Sequence, residues 1–132
     1  MAPDAGLPKS GLEVRREGAG PGPRITGFAG DGFRIDGQVY RAAQLTPERA
    51  WVWEPPALDA LSLEDFSELL AYRPEFILLG TGASLVRPPR ALVAALEAEG
   101  VGLEAMDSRA AARAWGVVRG EGREVCAALM AL

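Results

Sequence analysis

The sequence predicts a single α/β domain: a central mixed β-sheet flanked by helices, with an additional antiparallel β-layer from the N-terminal half. Three observations predict it. The second half alternates apolar runs with helical patterns, which is how a sheet covered by helices reads. Residues 24–56 carry short apolar segments separated by glycines, the pattern of an antiparallel meander. The run Phe76-Ile77-Leu78-Leu79 lacks the alternation of a half-solvated strand and reads as a strand covered on both faces. With 132 residues, 48% of them apolar and 24% charged, the chain is long enough to bury one real core.

Residues 1–23 are expected to be a flexible tail, because Gly and Pro dominate them and nothing there could pack. They lack the apolar core of a secretory signal, and Asp4, Glu13 and Glu17 argue against a mitochondrial presequence. The domain is expected to span 24–132. Ile25 and Phe28 mark one strand, and Phe33 and Ile35 a second. Asp36-Gly37 is the pair that closes a two-residue hairpin, since both positions tolerate positive φ, and Val39-Tyr40 starts the returning strand. Residues 50–54 read as a further strand with Trp51 and Trp53 on one face. Ser62 caps a helix, with Asp65 three residues on; Phe66, Leu69 and Leu70 form its buried stripe, and Pro74 ends it. The strand at 76–79 follows.

Residues 87–100 form the next helix, with Pro89 in its first turn, Leu92, Ala95 and Leu96 on one side, and Gly100 just past its end. Val101, Leu103 and Ala105 share a strand face. Asp107 or Ser108 caps a third helix over 109–119, and 123–132 closes the chain as a final strand.

What is missing narrows the chemistry. The chain has no histidine, so Ser-His-Asp triads, Cys-His pairs and His-ligated metals are excluded. One cysteine, Cys126, cannot build a four-thiolate site or an internal disulfide, and a reducing, cytoplasmic setting is expected. The single lysine, Lys9, lies in the tail, which argues against a Schiff base or a P-loop. A net charge of −4 without a basic run argues against nucleic acid, and no apolar run approaches the ~20 residues of a membrane helix. No metal and no cofactor is expected.

Three segments considered together carry a resemblance: "GFRIDGQVYRAAQLTPERAWVW", "LSLEDF" and "ILLGTGASLVRPPRALVAALEAEGVGLEAMDSRAAARAWGVVRGEGREVCAALM". The order of "GTG", the proline pair, "MDS", the Ala-rich helix and "EGR" resembles the adipogenesis-associated domain family. That family includes mitochondrial complex I assembly factor 3 and many uncharacterised bacterial and archaeal proteins. The resemblance covers about residues 24–130. It implies one α/β domain and no settled reaction, with mitochondrial members acting through protein contacts during assembly. Where relatives read Met-Asp-Thr, this chain has Met106-Asp107-Ser108, which keeps the hydroxyl. Where they read Thr-Tyr-Asn, it has Ala114-Trp115-Gly116, which removes three polar groups and leaves an indole N–H.

Two loops attract attention. Gly80-Thr81-Gly82 follows a strand, so its amides and the Thr81 hydroxyl could cradle an anion within reach of Arg87 and Arg90. Its spacing fits no phosphate-loop pattern, and a tight turn against a neighbouring strand is the plainer reading. Asp107-Ser108 precedes a helix and is read first as a cap, or else as part of a pocket at the carboxyl ends of parallel strands, beside the Gly80–Gly82 loop. Glu121 and Arg123 read as an ion pair, or as lining that same cleft with Asp107 and Glu121 as an acid/base pair. The candidate pocket therefore comprises Gly80, Thr81, Gly82, Met106, Asp107, Ser108, Trp115, Glu121 and Arg123. Trp115 has apolar neighbours at helical spacing and belongs by default to the core, and Cys126 reads as an inert buried thiol.

The sequence thus favours a non-catalytic, assembly-factor-like module that binds a protein partner, with a homodimer as one form. A small-molecule-binding protein or carboxylate-based enzyme with a cleft between the two loops is the alternative.

Overall fold

The computed structural model describes residues 22–132, so residues 1–21 of the tail predicted at 1–23 lie outside the described residues. Pro23, assigned to that tail by composition, is buried, and its carbonyl accepts a hydrogen bond from Trp115 Nε1 at 3.1 Å.

The chain opens with a three-stranded antiparallel sheet: β1 (Ile25–Ala29), β2 (Gly32–Ile35) and β3 (Gln38–Tyr40). The turn between β2 and β3 is the two-residue one the sequence predicts, with Asp36 at φ 49° and Gly37 at φ 84°. The strands that follow, β4 (Ala43–Leu45) and β5 (Ala50–Val52), do not extend that sheet. They join a second, five-stranded sheet with β6 (Phe76–Gly80), β7 (Gly102–Met106) and β8 (Cys126–Leu129), in the order β5-β4-β8-β6-β7. β6 runs parallel to β7 and β8, while β4 is antiparallel to both β5 and β8, so this sheet is mixed.

The predicted single meander is therefore corrected: the N-terminal half is divided between two sheets. The sequence hides the division because β4 is three residues long, buried throughout, and carries a polar residue at its centre. Gln44 is tolerated there because its Nε2 donates to the Asp65 carbonyl at 3.0 Å.

Each face of the large sheet has its own core. Ile77, Leu79, Cys126 and Ala128 point to the side covered by α2 (Arg90–Ala98), where they meet Phe66, Leu69, Leu92 and Leu96. Leu78, Ala127 and Leu129 point the other way, towards Ala111, Ala112 and Trp115 of α3 (Ser108–Gly120). Phe33 and Ile35 of the small sheet join that second core, so α3 lies between the two sheets' apolar side chains. Covering on both faces is why 76–79 is continuously apolar rather than alternating. Trp51 and Trp53 do share a face, but they are half-buried against the α2-side core. Trp53 meets Phe66 edge-on at 6.1 Å, and the Arg49 guanidinium lies 4.1 Å above Trp51.

The helix expected from Ser62 begins as a 3₁₀ turn (Leu63–Phe66) and becomes α1 only over Ser67–Ala71. Asp65 nonetheless closes the start, accepting from the Ser62 N–H at 2.9 Å. The helix ends at Arg73, which adopts φ 62° immediately before Pro74. A left-handed residue after a helix is usually glycine, because a Cβ there costs roughly 1–2 kcal/mol. Arg73→Gly relieves that strain against a smaller entropic cost. It is expected to stabilise the protein by about 0.5–1 kcal/mol in urea unfolding monitored by tryptophan fluorescence.

Candidate functional site

The two loops singled out in the sequence do meet. Gly80 of β6 stands opposite Met106 of β7, and the Thr81 N–H donates to the Met106 carbonyl at 2.9 Å. Ser108 N–H in turn donates to the Gly82 carbonyl at 2.8 Å. The carboxyl ends of β6 and β7 are thus joined at one rim, beside β8, whose following residue Met130 donates its N–H to the Gly80 carbonyl at 3.0 Å.

The space between the loops is filled by Ser108. Its side chain has no solvent exposure. Ser108 Oγ accepts from the Gly82 N–H at 2.8 Å and donates to the Met130 carbonyl at 2.7 Å. A Cβ on Gly80 would lie 2.7 Å from that Oγ and 2.9 Å from Ser108 Cα, so only glycine fits. Gly82 is needed for a different reason, its φ of 108°.

The turn amides and the Thr81 hydroxyl that could have formed an anion cradle are spent inside the protein. Besides the amides already named, Thr81 Oγ1 donates to the Ser84 carbonyl at 2.7 Å and accepts from the Val86 N–H at 3.1 Å. α2 does not begin until Arg90, well beyond the glycine turn. Asp107 is the N-cap of α3, and its Oδ1 accepts from the Ala110 N–H at 2.9 Å. The cap and tight-turn readings describe this geometry; a cleft between the loops does not.

The remaining candidates lie elsewhere. Trp115 is buried in the α3-side core, its indole N–H held by the Pro23 carbonyl. Glu121 caps the far end of α3 and is exposed. Thirteen helical residues separate it from Asp107, about 20 Å at ~1.5 Å per residue, so the two carboxylates cannot act as a pair. Arg123 pairs with Glu75 at 3.0 Å and stacks its guanidinium 5.1 Å from the Phe76 ring. Gly80, Thr81, Gly82, Met106, Asp107 and Ser108 are therefore brought together, while Trp115, Glu121 and Arg123 are not. Among the described residues no group of three His, Cys, Asp or Glu is placed to hold a metal.

Among the described residues two titratable groups are perturbed, both beside the Glu124 carboxylate. Burial first, and Glu124 second, push the Cys126 thiol up to about 12. Burial, then the hydrogen bond that the Tyr72 phenol donates to Glu124, raise Tyr72 well above its ordinary range. Neither is a nucleophile at neutral pH.

One feature gave no sequence signal. The loop after Gly82 presents Leu85 and Val86 to solvent, 61% and 48% exposed. An apolar pair between glycine and proline has no period to read, so only tertiary placement reveals that it is outside the core.

The two-sheet architecture defines the class: a mixed α/β single domain whose fold is shared with several solved bacterial structures. A Bordetella pertussis protein described as an Mth938-like domain is 25% identical, with a TM-score of 0.71 and coverage of 90% of both chains. A Bordetella parapertussis crystal structure gives a TM-score of 0.77 at 27% identity, over 84% of this chain and 97% of that one. An uncharacterized protein of Rhodobacter capsulatus is 38% identical over 119 residues, 82% of this chain and 91% of the relative. The chain belongs to the family of proteins of unknown function DUF498/DUF598, whose model matches residues 25–130.

Two predictions test the junction and the buried groups. Ser108→Ala strips the partners from one buried N–H and one buried carbonyl, and is expected to cost about 2–4 kcal/mol in chemical denaturation; Gly80→Ala forces α3 away from β6 and is expected to cost at least as much. Cys126 and Tyr72 are held protonated above their unfolded values. The stability they contribute is therefore complete below about pH 9 and is lost as pH climbs from 9.0 towards 12, the window set by Cys126. Melting temperature is expected to fall through that window, and native Cys126 to resist iodoacetamide at pH 8 until the protein unfolds.

Proposed function

We infer that this protein is a non-catalytic protein-binding module of the assembly-factor kind, working in a reducing, cytoplasmic compartment. The observation that carries this reading is the filled junction. Where an open α/β sheet usually receives a ligand, at the carboxyl ends of its parallel strands, this chain has a buried serine, and every polar group named there has an internal partner. Glycine and hydroxyl chemistry that resembles a binding loop is used to weld strands together.

Two further points support it. The fold leaves apolar side chains outside on strands (Val39, Val52), on a loop (Leu85, Val86) and on α3 (Val117), where another protein can reach them. The sequence resemblance to the adipogenesis-associated domain family, with its complex I assembly factor, points the same way. Among the described residues no helix is long and apolar enough to cross a membrane.

The test is affinity capture from the native host, followed by reconstitution of the binary complex from purified components. At least one captured protein is expected to bind directly in calorimetry with a Kd in or below the micromolar range, about −8 kcal/mol. The reading fails if no captured protein binds on its own, or if the purified protein turns over a substrate.

A further inference from the structure

The Gly82–Arg90 connection has a property that the junction does not account for. It holds two aliphatic side chains rigidly in water. Thr81, itself buried, fixes the start of the loop through Ser84 and Val86. Pro88 and Pro89 fix the end, where the Pro89 carbonyl accepts from the Leu92 and Val93 N–H groups at 3.1 and 3.2 Å. Leu85 and Val86 lie between these anchors, 61% and 48% exposed. They contribute nothing to either core.

Directly beyond them, Arg87, Pro88, Arg90, Val93, Ala94 and Glu97 line an open recess of about 510 Å³ along the outer face of α2. A loop already fixed in shape loses little conformational entropy when something docks on it.

Charge selects the occupant. The chain as a whole carries −4, yet the recess is lined by two cations, Arg87 and Arg90, against one carboxylate, Glu97, and neither arginine forms an ion pair among the described residues. An anionic membrane is disfavoured, because two aliphatic and two cationic side chains are a small footprint on an otherwise acidic molecule. A second copy bound through the same surface would set the same arginines against each other.

We propose that residues 83–90 and the adjoining face of α2 dock an acidic amphipathic segment of another protein. Its aliphatic side chains pack on Leu85, Val86 and the recess at Val93 and Ala94, and its carboxylates pair with Arg87 and Arg90. The proposal rests on the reading of this chain as a protein-binding module and adds the surface and the partner's chemistry.

The probe is a phage-displayed library of random peptides selected on the full-length protein. Enriched peptides are then synthesised and measured by fluorescence anisotropy. They are expected to combine aliphatic residues with Asp or Glu and to weaken with added salt. Leu85→Asp and Arg87→Glu are each expected to cut affinity about tenfold or more, while Val117→Ser on α3 leaves it unchanged. All three positions are exposed, so melting temperatures are expected to stay near wild type.

Enriched peptides without acidic residues, or peptides indifferent to both loop variants, overturn the proposal. So does Leu85-dependent pelleting with phosphatidylglycerol vesicles in place of peptide binding, or a dimer in ultracentrifugation that Leu85→Asp dissolves. A native partner that binds wild type and Leu85→Asp equally refutes this surface and leaves the module reading standing. A wild type with no binary partner removes the module reading itself.

Discussion

The hydroxyl of Ser108 is the constraint on which the rest of the structure depends. It accepts from the amide after β6, donates to the carbonyl after β8, and sits at the start of the helix that leaves β7. One buried oxygen therefore ties the ends of three parallel strands to the helix on which the small sheet packs. A hydroxyl suits this place because it can donate and accept at once without carrying charge into the interior. The cost falls on its neighbour: position 80 can hold no side chain. The Gly80/Ser108 contact also sets how closely α3 approaches the sheet, and the small residues Ala127, Ala111 and Ala112 on that side fit the short distance.

From this junction the molecule divides naturally into two cores on either face of β6 and β8. The polar chemistry at the rim is consumed in holding the layers, and the loop leaving the rim is carried outward on the Thr81 anchor. A strong local structure and an exposed apolar loop are thus two consequences of the same glycine–threonine–glycine turn. The turn is tight because β6 must stop against α3, and it is stiff because Thr81 spends its hydroxyl on the residues that follow.

The groups that looked most chemical are used for packing and capping. Asp107 behaves as an N-cap, its carboxylate satisfying an amide that the helix cannot. Glu121 and Arg123 are drawn to the opposite end of α3. There Arg123 joins Glu75, and Arg119 donates to the Arg123 carbonyl at 2.7 Å and lies 3.9 Å from Glu124. That end of the helix is a polar clamp on the start of β8, as distinct from the hydroxyl weld at the other end.

By itself the sequence determined the α/β class, the hairpin at Asp36-Gly37, the capping role of Ser62–Asp65, a cap at Asp107 or Ser108, and the doubly covered strand at 76–79. Each rests on short-range rules: φ preference, cap chemistry, or apolar periodicity within a few residues. It also determined what chemistry is absent, since a chain without histidine has no imidazole wherever it folds. Only the tertiary structure decided that β4 and β5 leave the first sheet, that Ser108 fills the crevice between the two loops, and that Leu85 and Val86 remain outside. These depend on which distant segments compete for the same space. Ser108 meets Gly82 and Met130 across gaps of 26 and 22 residues, and no local pattern encodes which of two neighbouring side chains will occupy a gap that exists only after the strands have paired.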